Sequence, residues 1–176
     1  MSMHATAPQS PDTAEVRPAF LDIEASGFGR GSYPIEVGAV LPDGSTLCTL
    51  IRPEPGWIHW DPRAEKVHGI ARSTLEAHGH GAREVAQMLN DRLRGLTLLC
   101  DAWAHDFVWL SLLFEVAERV PLFRLKDLRC VLTPGQSAGW HEAKLAVQAA
   151  AGLSRHRASW DARILQMTLQ KLSNPR

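Results

Sequence analysis

Surplus charge is missing from this chain: 19 lysines and arginines meet 19 aspartates and glutamates over 176 residues. A long, strongly held nucleic-acid footprint needs a basic excess, so this balance does not support one. A short end-binding site remains compatible, because metal ions can offset phosphate charge there. Cysteine is scarce and odd in number, with Cys48, Cys100 and Cys130 far apart and no Cys-x-x-Cys pair. That argues against a zinc site and a disulfide framework, and favours a reducing, cytoplasmic setting. No segment approaches the roughly 18 apolar residues that span a membrane. The glycine-rich stretch from Ser26 to Ser32 is not followed by Gly-Lys-Ser/Thr, which excludes a phosphate loop. Tyrosine occurs once, at Tyr33.

What is present is the composition of a soluble globular protein, 45% hydrophobic and 22% charged. Residues 1–17 are rich in Ala, Pro, Ser and Thr and hold no apolar run. They lack the core of a signal peptide and read as a disordered tail ahead of one domain, 18–176. Apolar strand-like segments at 19–24, after Pro34, and after the Asp43-Gly44 hairpin signal predict an antiparallel meander. Asp61-Pro62 predicts an N-cap and a short helix ended by His68-Gly69-Ile70, with another helical turn over 73–77. Val85, Ala86, Leu89 and Leu93 give 82–93 a helical face. A buried strand over 96–100 precedes a helix carrying Leu110, Leu113 and Phe114; a fifth strand is expected within 125–132, then helices over 139–151 and 159–172. The whole predicts an α/β or α+β domain on a mixed central sheet.

Three places carry the chemistry. Asp22 and Glu24 lie two apart in an apolar strand, so both project from one face. Such a pair describes either a wet edge strand or two oxygen ligands for a divalent cation. Asp106 opens the helix after the buried strand, where open sheets bind ligands, or it serves only the helix dipole. Asp101 reads as a turn or capping residue. His156 stands five residues before Asp161, which suits a loop histidine beside a first-turn carboxylate and equally an exposed histidine near a helix start.

Taken together, Asp22-x-Glu24, Asp106-x-x-Trp109-Leu110 and His156-x-x-x-x-Asp161 resemble the DEDD superfamily of 3′-to-5′ exonucleases in its histidine form, DEDDh. Tyr33 is near the wrong motif for the tyrosine form. Pro34-Ile35-Glu36-Val37-Gly38 and His68-Gly69-Ile70 look familial too. Two places depart from the pattern: Asp101-Ala102 stands where the family has a His-Asn pair, and Ala25-Ser26-Gly27-Phe28 replaces Thr-Thr-Gly-Leu.

The resemblance implies a ribonuclease H-like fold, with three antiparallel strands followed by parallel ones and helices on its flanks. It implies two divalent ions, Mg²⁺ or Mn²⁺, as cofactors: Asp22 bridges them, Glu24 and Asp161 complete the site of the attacking water, and Asp106 supports the second ion. His156 is then the general base. By the same analogy the backbone of Ala25, Ser26 and Gly27 meets the terminal 3′ hydroxyl, and Phe28 and the turn from His68 to Ile70 flank the terminal base. The partners so implied are single-stranded DNA or RNA 3′ ends, together with a homodimer, since relatives commonly dimerise. Trp109 reads as core, while Trp57 and Trp60 are open to core packing, base stacking or a subunit contact. Arg155 and Arg157 are open to phosphate contact or simple exposure. The rival function is a catalytically weak nucleic-acid- or partner-binding module on the same fold.

Overall fold

A computed structural model describes residues 17–152 and 156–174. The expected tail, apart from Arg17, and the expected role of Arg155 lie outside the described residues. The elements are β1 (Ala19–Ala25), β2 (Pro34–Val40), β3 (Thr46–Leu50), α1 (Pro62–His68), α2 (Arg72–His78), α3 (Ala82–Leu93), β4 (Thr97–Cys100), α4 (Trp103–Val116), β5 (Arg124–Asp127), α5 (Pro134–Ala151) and α6 (Ala158–Ser173). They build one sheet in the order β3-β2-β1-β4-β5. The β1–β2 and β2–β3 pairings are antiparallel, and the β1–β4 and β4–β5 pairings are parallel. This is the mixed sheet expected from the sequence, with β1 at its centre.

Alternation along β1 divides its side chains between two cores. Leu21 and Ile23 join Leu89, Leu113 and Phe114 on the α3–α4 side. Phe20 joins Leu128, Leu165 and Leu169 on the α6 side. Asp22 and Glu24 follow Phe20 at spacing two, so they emerge on the α6 side at the end of the strand. Gly38 lies opposite Asp22 in the ladder. A Cβ there would stand 2.1 Å from the Ser159 nitrogen and 2.4 Å from the Ala158 carbonyl carbon. Only glycine lets the first turn of α6 press so closely onto β2, which brings that turn over the acidic end of β1.

Two elements differ from their predicted extents. Helix α5 starts at Pro134, ahead of the expected 139, because Thr133 and Gln136 form a reciprocal capping box with proline at the first helical position. The Gln136 N–H donates to the Thr133 hydroxyl at 3.3 Å, and the Thr133 N–H donates to the Gln136 side chain at 3.0 Å. Strand β5 stops at Asp127, whose side chain accepts from the Arg129 N–H and turns the chain into a short 3-10 helix.

The proline loop also resolves its two tryptophans. Trp57 is buried and stacks on Tyr33 with centroids 5.1 Å apart, and Arg72 donates to both the Tyr33 hydroxyl and the Trp57 carbonyl. Trp60 donates its ring N–H to Glu65 at 2.6 Å and packs against the main core. Trp57 is thus part of the core, and Trp60 is half-buried against it. Among the described residues no helix is long and apolar enough to cross a membrane.

Candidate active site

Three elements deliver the acidic residues to one cleft. Asp22 and Glu24 come from β1, Asp106 from the first turn of α4, and Asp161 from the first turn of α6. His156 precedes α6 and points its Nδ1 at Asp161 Oδ2, 3.4 Å away. All five line a cavity of about 320 Å³. Ligand atoms of Glu24, His156 and Asp161 lie within 4.8 Å of one another.

The electrostatics follow from this crowding. Burial, then the charges of Asp106, Glu24 and Asp161, push the Asp22 carboxyl well above the usual carboxylate range. Glu24 is pushed up to about 8 by burial first and by Asp161 and Glu36 next. Asp106 rises to about 7, from burial and then Asp101. Asp161 is raised by burial, with His156 and Lys144 pulling the other way. Asp106 is only 1% exposed and its Oδ2 has no hydrogen-bond partner. An orphaned buried oxygen among mutually repelling carboxylates is costly unless a proton or a cation takes it up. Hard oxygen donors of this kind fit Mg²⁺ or Mn²⁺ better than zinc.

The remaining sequence-predicted residues separate into two groups. Ala25, Gly27, Phe28 and His68 line the cleft. Ser26 and Ile70 do not. Ser26 is buried, with its N–H donating to the Tyr33 carbonyl, its carbonyl accepting from Asp61, and its hydroxyl bonded to His59 and the Tyr33 N–H. Ile70 belongs to the main hydrophobic core. The loop is held tightly because Gly27 has φ of 138°, and a Cβ there would come within 2.6 Å of Asp61 Cβ. His68 does not satisfy the last carbonyls of α1. Its Nδ1 accepts from the Ile70 N–H at 3.0 Å, which places the ring proton on Nε2, a buried donor without a partner. Arg157, considered for phosphate contact, is instead bonded to Glu36.

No protein-family model and no curated protein matches the chain. Solved structures do. Exonuclease I of E. coli in complex with a 5cy-dT13 oligonucleotide matches with a TM-score of 0.66 at 17% identity, over 91% of this chain and 42% of that one. The moderately thermophilic exonuclease I from Methylocaldum szegediense gives 0.65 at 16%, over 90% and 40%. E. coli exonuclease I with a dA16 oligonucleotide gives 0.65 at 15%, over 91% and 41%. The fold is ribonuclease H-like. This chain therefore spans about two fifths of the length of those exonucleases.

Several cleft residues escaped the sequence reading. His105 stacks on Trp109 with centroids 5.5 Å apart, and Phe28, 68% exposed, meets His105 edge-on at 5.1 Å. Trp109 is buried as expected, and its ring N–H donates to Ser32, tying α4 to the glycine loop. The signal for His105 was its place four residues before Trp109, one helical turn away. Lys144 and Gln148 line the cleft from α5, also four apart. Asp101 caps nothing; it receives a hydrogen bond from Lys144.

Proposed function

We propose that this chain is a metal-dependent 3′-to-5′ exonuclease of the DEDDh type, which releases nucleoside 5′-monophosphates from single-stranded DNA or RNA ends. The unit to which we assign this activity is the domain of residues 18–176. The observation that carries the proposal is the convergence of Asp22, Glu24, Asp106, Asp161 and His156 on one cleft from three separate elements. Likeness to exonuclease I structures in complex with dT13 and dA16 oligonucleotides supports the choice of substrate. The unpartnered buried oxygen of Asp106, facing like charges, favours this reading over a module that only binds nucleic acid.

Asp22, Glu24, Asp106 and Asp161 would hold two divalent ions, Mg²⁺ or Mn²⁺. When bound, the ions supply charge neutralisation at the phosphate and an acidified water. His156 is the proton acceptor. With Asp161 on its Nδ1 side, the proton resides on Nδ1 and Nε2 is left to take one from the attacking water. The water oxygen bonds to phosphorus as the bond to the 3′ oxygen of the preceding nucleotide breaks, and that oxygen takes a proton from solvent. Phe28 and His105 offer ring surface for the terminal base, and the Nε2–H of His68 offers a hydrogen bond to the terminal nucleotide. The backbone of Ala25 and Gly27, which line the cleft, would meet the terminal 3′ hydroxyl.

The test is a 5′-labelled oligonucleotide, DNA and RNA in parallel, incubated with magnesium or manganese and then with chelator. A ladder shortening from the 3′ end and abolished by chelator is expected. No metal-dependent ladder on either nucleic acid would falsify the proposal.

A further inference from the structure

Lys144 and Asp101 form an ion pair on the wall of the cleft, outside the five residues assigned above. Nζ donates to Oδ2 at 2.5 Å, and the two side chains are 28% and 26% exposed. Lys144 belongs to α5, and Gln148, one turn further on, lines the same cavity. The pair is felt by the carboxylates: Lys144 pulls Asp161 down, while Asp101 pushes Asp22 and Asp106 up.

Among the described residues that line the cleft, Lys144 alone carries a fixed positive charge. A polyanionic strand approaching Asp22, Glu24, Asp101, Asp106 and Asp161 is repelled wherever those charges are not neutralised. The four central carboxylates would hold cations against the phosphate being cut. Away from it, the attraction available from the cleft wall is that of Lys144. Its ion pair is with Asp101 and with none of the four central carboxylates, so it stands beside the reacting centre. Asp101 occupies one of the three N–H donors of the ammonium and fixes its position, leaving two for a phosphate.

We infer that Lys144, positioned by Asp101 and flanked by Gln148, grips the internucleotide phosphate next to the one that is cut. The cleft then prefers a strand of linked nucleotides to a lone nucleotide ester. This inference rests on reading the cleft as a nuclease site.

The experiment compares wild type, Lys144→Met and Lys144→Arg on a fluorescent oligothymidylate and on thymidine 5′-(p-nitrophenyl phosphate), which has no second phosphate. Binding of the oligonucleotide is followed by anisotropy against salt, with calcium replacing magnesium. Lys144→Met is expected to weaken binding about tenfold. It should also reduce the slope of log Kd against log salt by about 0.7, the share of one phosphate on a single strand. Lys144→Arg restores both, and so separates a charge contact from a merely structural one even if the methionine variant melts early. Hydrolysis of the oligonucleotide suffers more than that of the ester.

An unchanged salt slope in Lys144→Met overturns the inference, and so do equal losses on the two substrates. A wild-type chain that binds oligonucleotide but cuts neither substrate overturns the nuclease reading while the salt slope still decides whether Lys144 holds a phosphate. A wild-type chain that binds no oligonucleotide overturns both.

Discussion

Glu36 and Arg157 join β2 to the start of α6 through a two-pronged ion pair whose carboxylate is completely buried. Both Glu36 oxygens accept from Arg157 Nε at 3.0 Å, Arg157 Nη2 adds a short bond to Oε1, and the Ala158 N–H donates to Oε2 at 3.0 Å. Glu36 thus caps a helix whose own N-cap residue provides no side-chain bond. Glu36 is also the ladder partner of Glu24. One residue therefore orients the end of β1, the approach to His156 and the first turn that carries Asp161.

Replacing Glu36 with Gln leaves Arg157 without its charge partner and is expected to destabilise the chain by about 2 kcal/mol, since Arg157 is partly exposed. The turnover rate should fall with it, because Asp161 and His156 lose their support. Chemical denaturation together with single-turnover rates checks this; a loss of stability with full activity would separate the cap from the site.

Gly38→Ala tests the close approach of α6. Its methyl would overlap the Ser159 backbone, so the helix start must move. We expect a loss of about 2 kcal/mol in stability and a fall of at least about 100-fold in rate. A variant with wild-type kinetics would show that the helix start need not sit on β2.

The chemistry has its own pair of variants. Asp22→Ala is expected to abolish manganese binding, read by calorimetry, along with turnover. His156→Ala is expected to keep manganese binding and lose about 100-fold or more in rate. Full activity of His156→Ala across the pH range would remove the histidine from the mechanism.

Stability of the metal-free protein should depend on pH in an unusual direction. Glu24 titrates near 8 in the fold against an ordinary 4.5, and Asp106 near 7 against 3.8. Both are raised, so between those limits the folded chain holds more protons than the unfolded chain. Their contribution is full below about pH 4 and is lost as pH rises through 7 to 8. Melting in chelator should therefore fall from pH 5 to pH 8 as these groups ionise, and added magnesium should recover most of the loss at pH 8. A flat profile, or no recovery with magnesium, would count against a strained carboxylate site.

Phe28→Ala should leave stability within about 0.5 kcal/mol, because the ring is largely exposed. It should weaken oligonucleotide binding by about 1 kcal/mol or more, the scale of one base stacking on one ring. Anisotropy under non-cleaving conditions gives the answer.

Residues whose role depends on short-range pattern were legible in the sequence. Alternation put Asp22 and Glu24 on one face, and Asp61-Pro62 and Gly69 marked both ends of α1, where the structure has a side-chain cap and a left-handed glycine. Tertiary partners were not legible. Ser26 looked like a loop residue at the substrate, yet its polar groups are used up within the fold. Arg157 looked like a surface cation, yet its partner is 121 positions earlier in the chain. Lys144 had no local feature to distinguish it from a solvated lysine, because Asp101 reaches it only through folding. The box that starts α5 is written in Thr133-Pro134-x-Gln136, ahead of the more apolar stretch whose periodicity marks the rest of the helix.

The order of elements along the chain has a consequence for synthesis. A ribosome delivers β1 first among these elements and α6 last, and the sheet can pair through β5 before α6 emerges. Up to that moment the nascent domain carries Asp22, Glu24 and Asp106 but neither Asp161 nor His156. Docking of α6 onto Gly38 is thus the event that completes the cleft, and the acidic cluster is whole only once the last of these elements is in place.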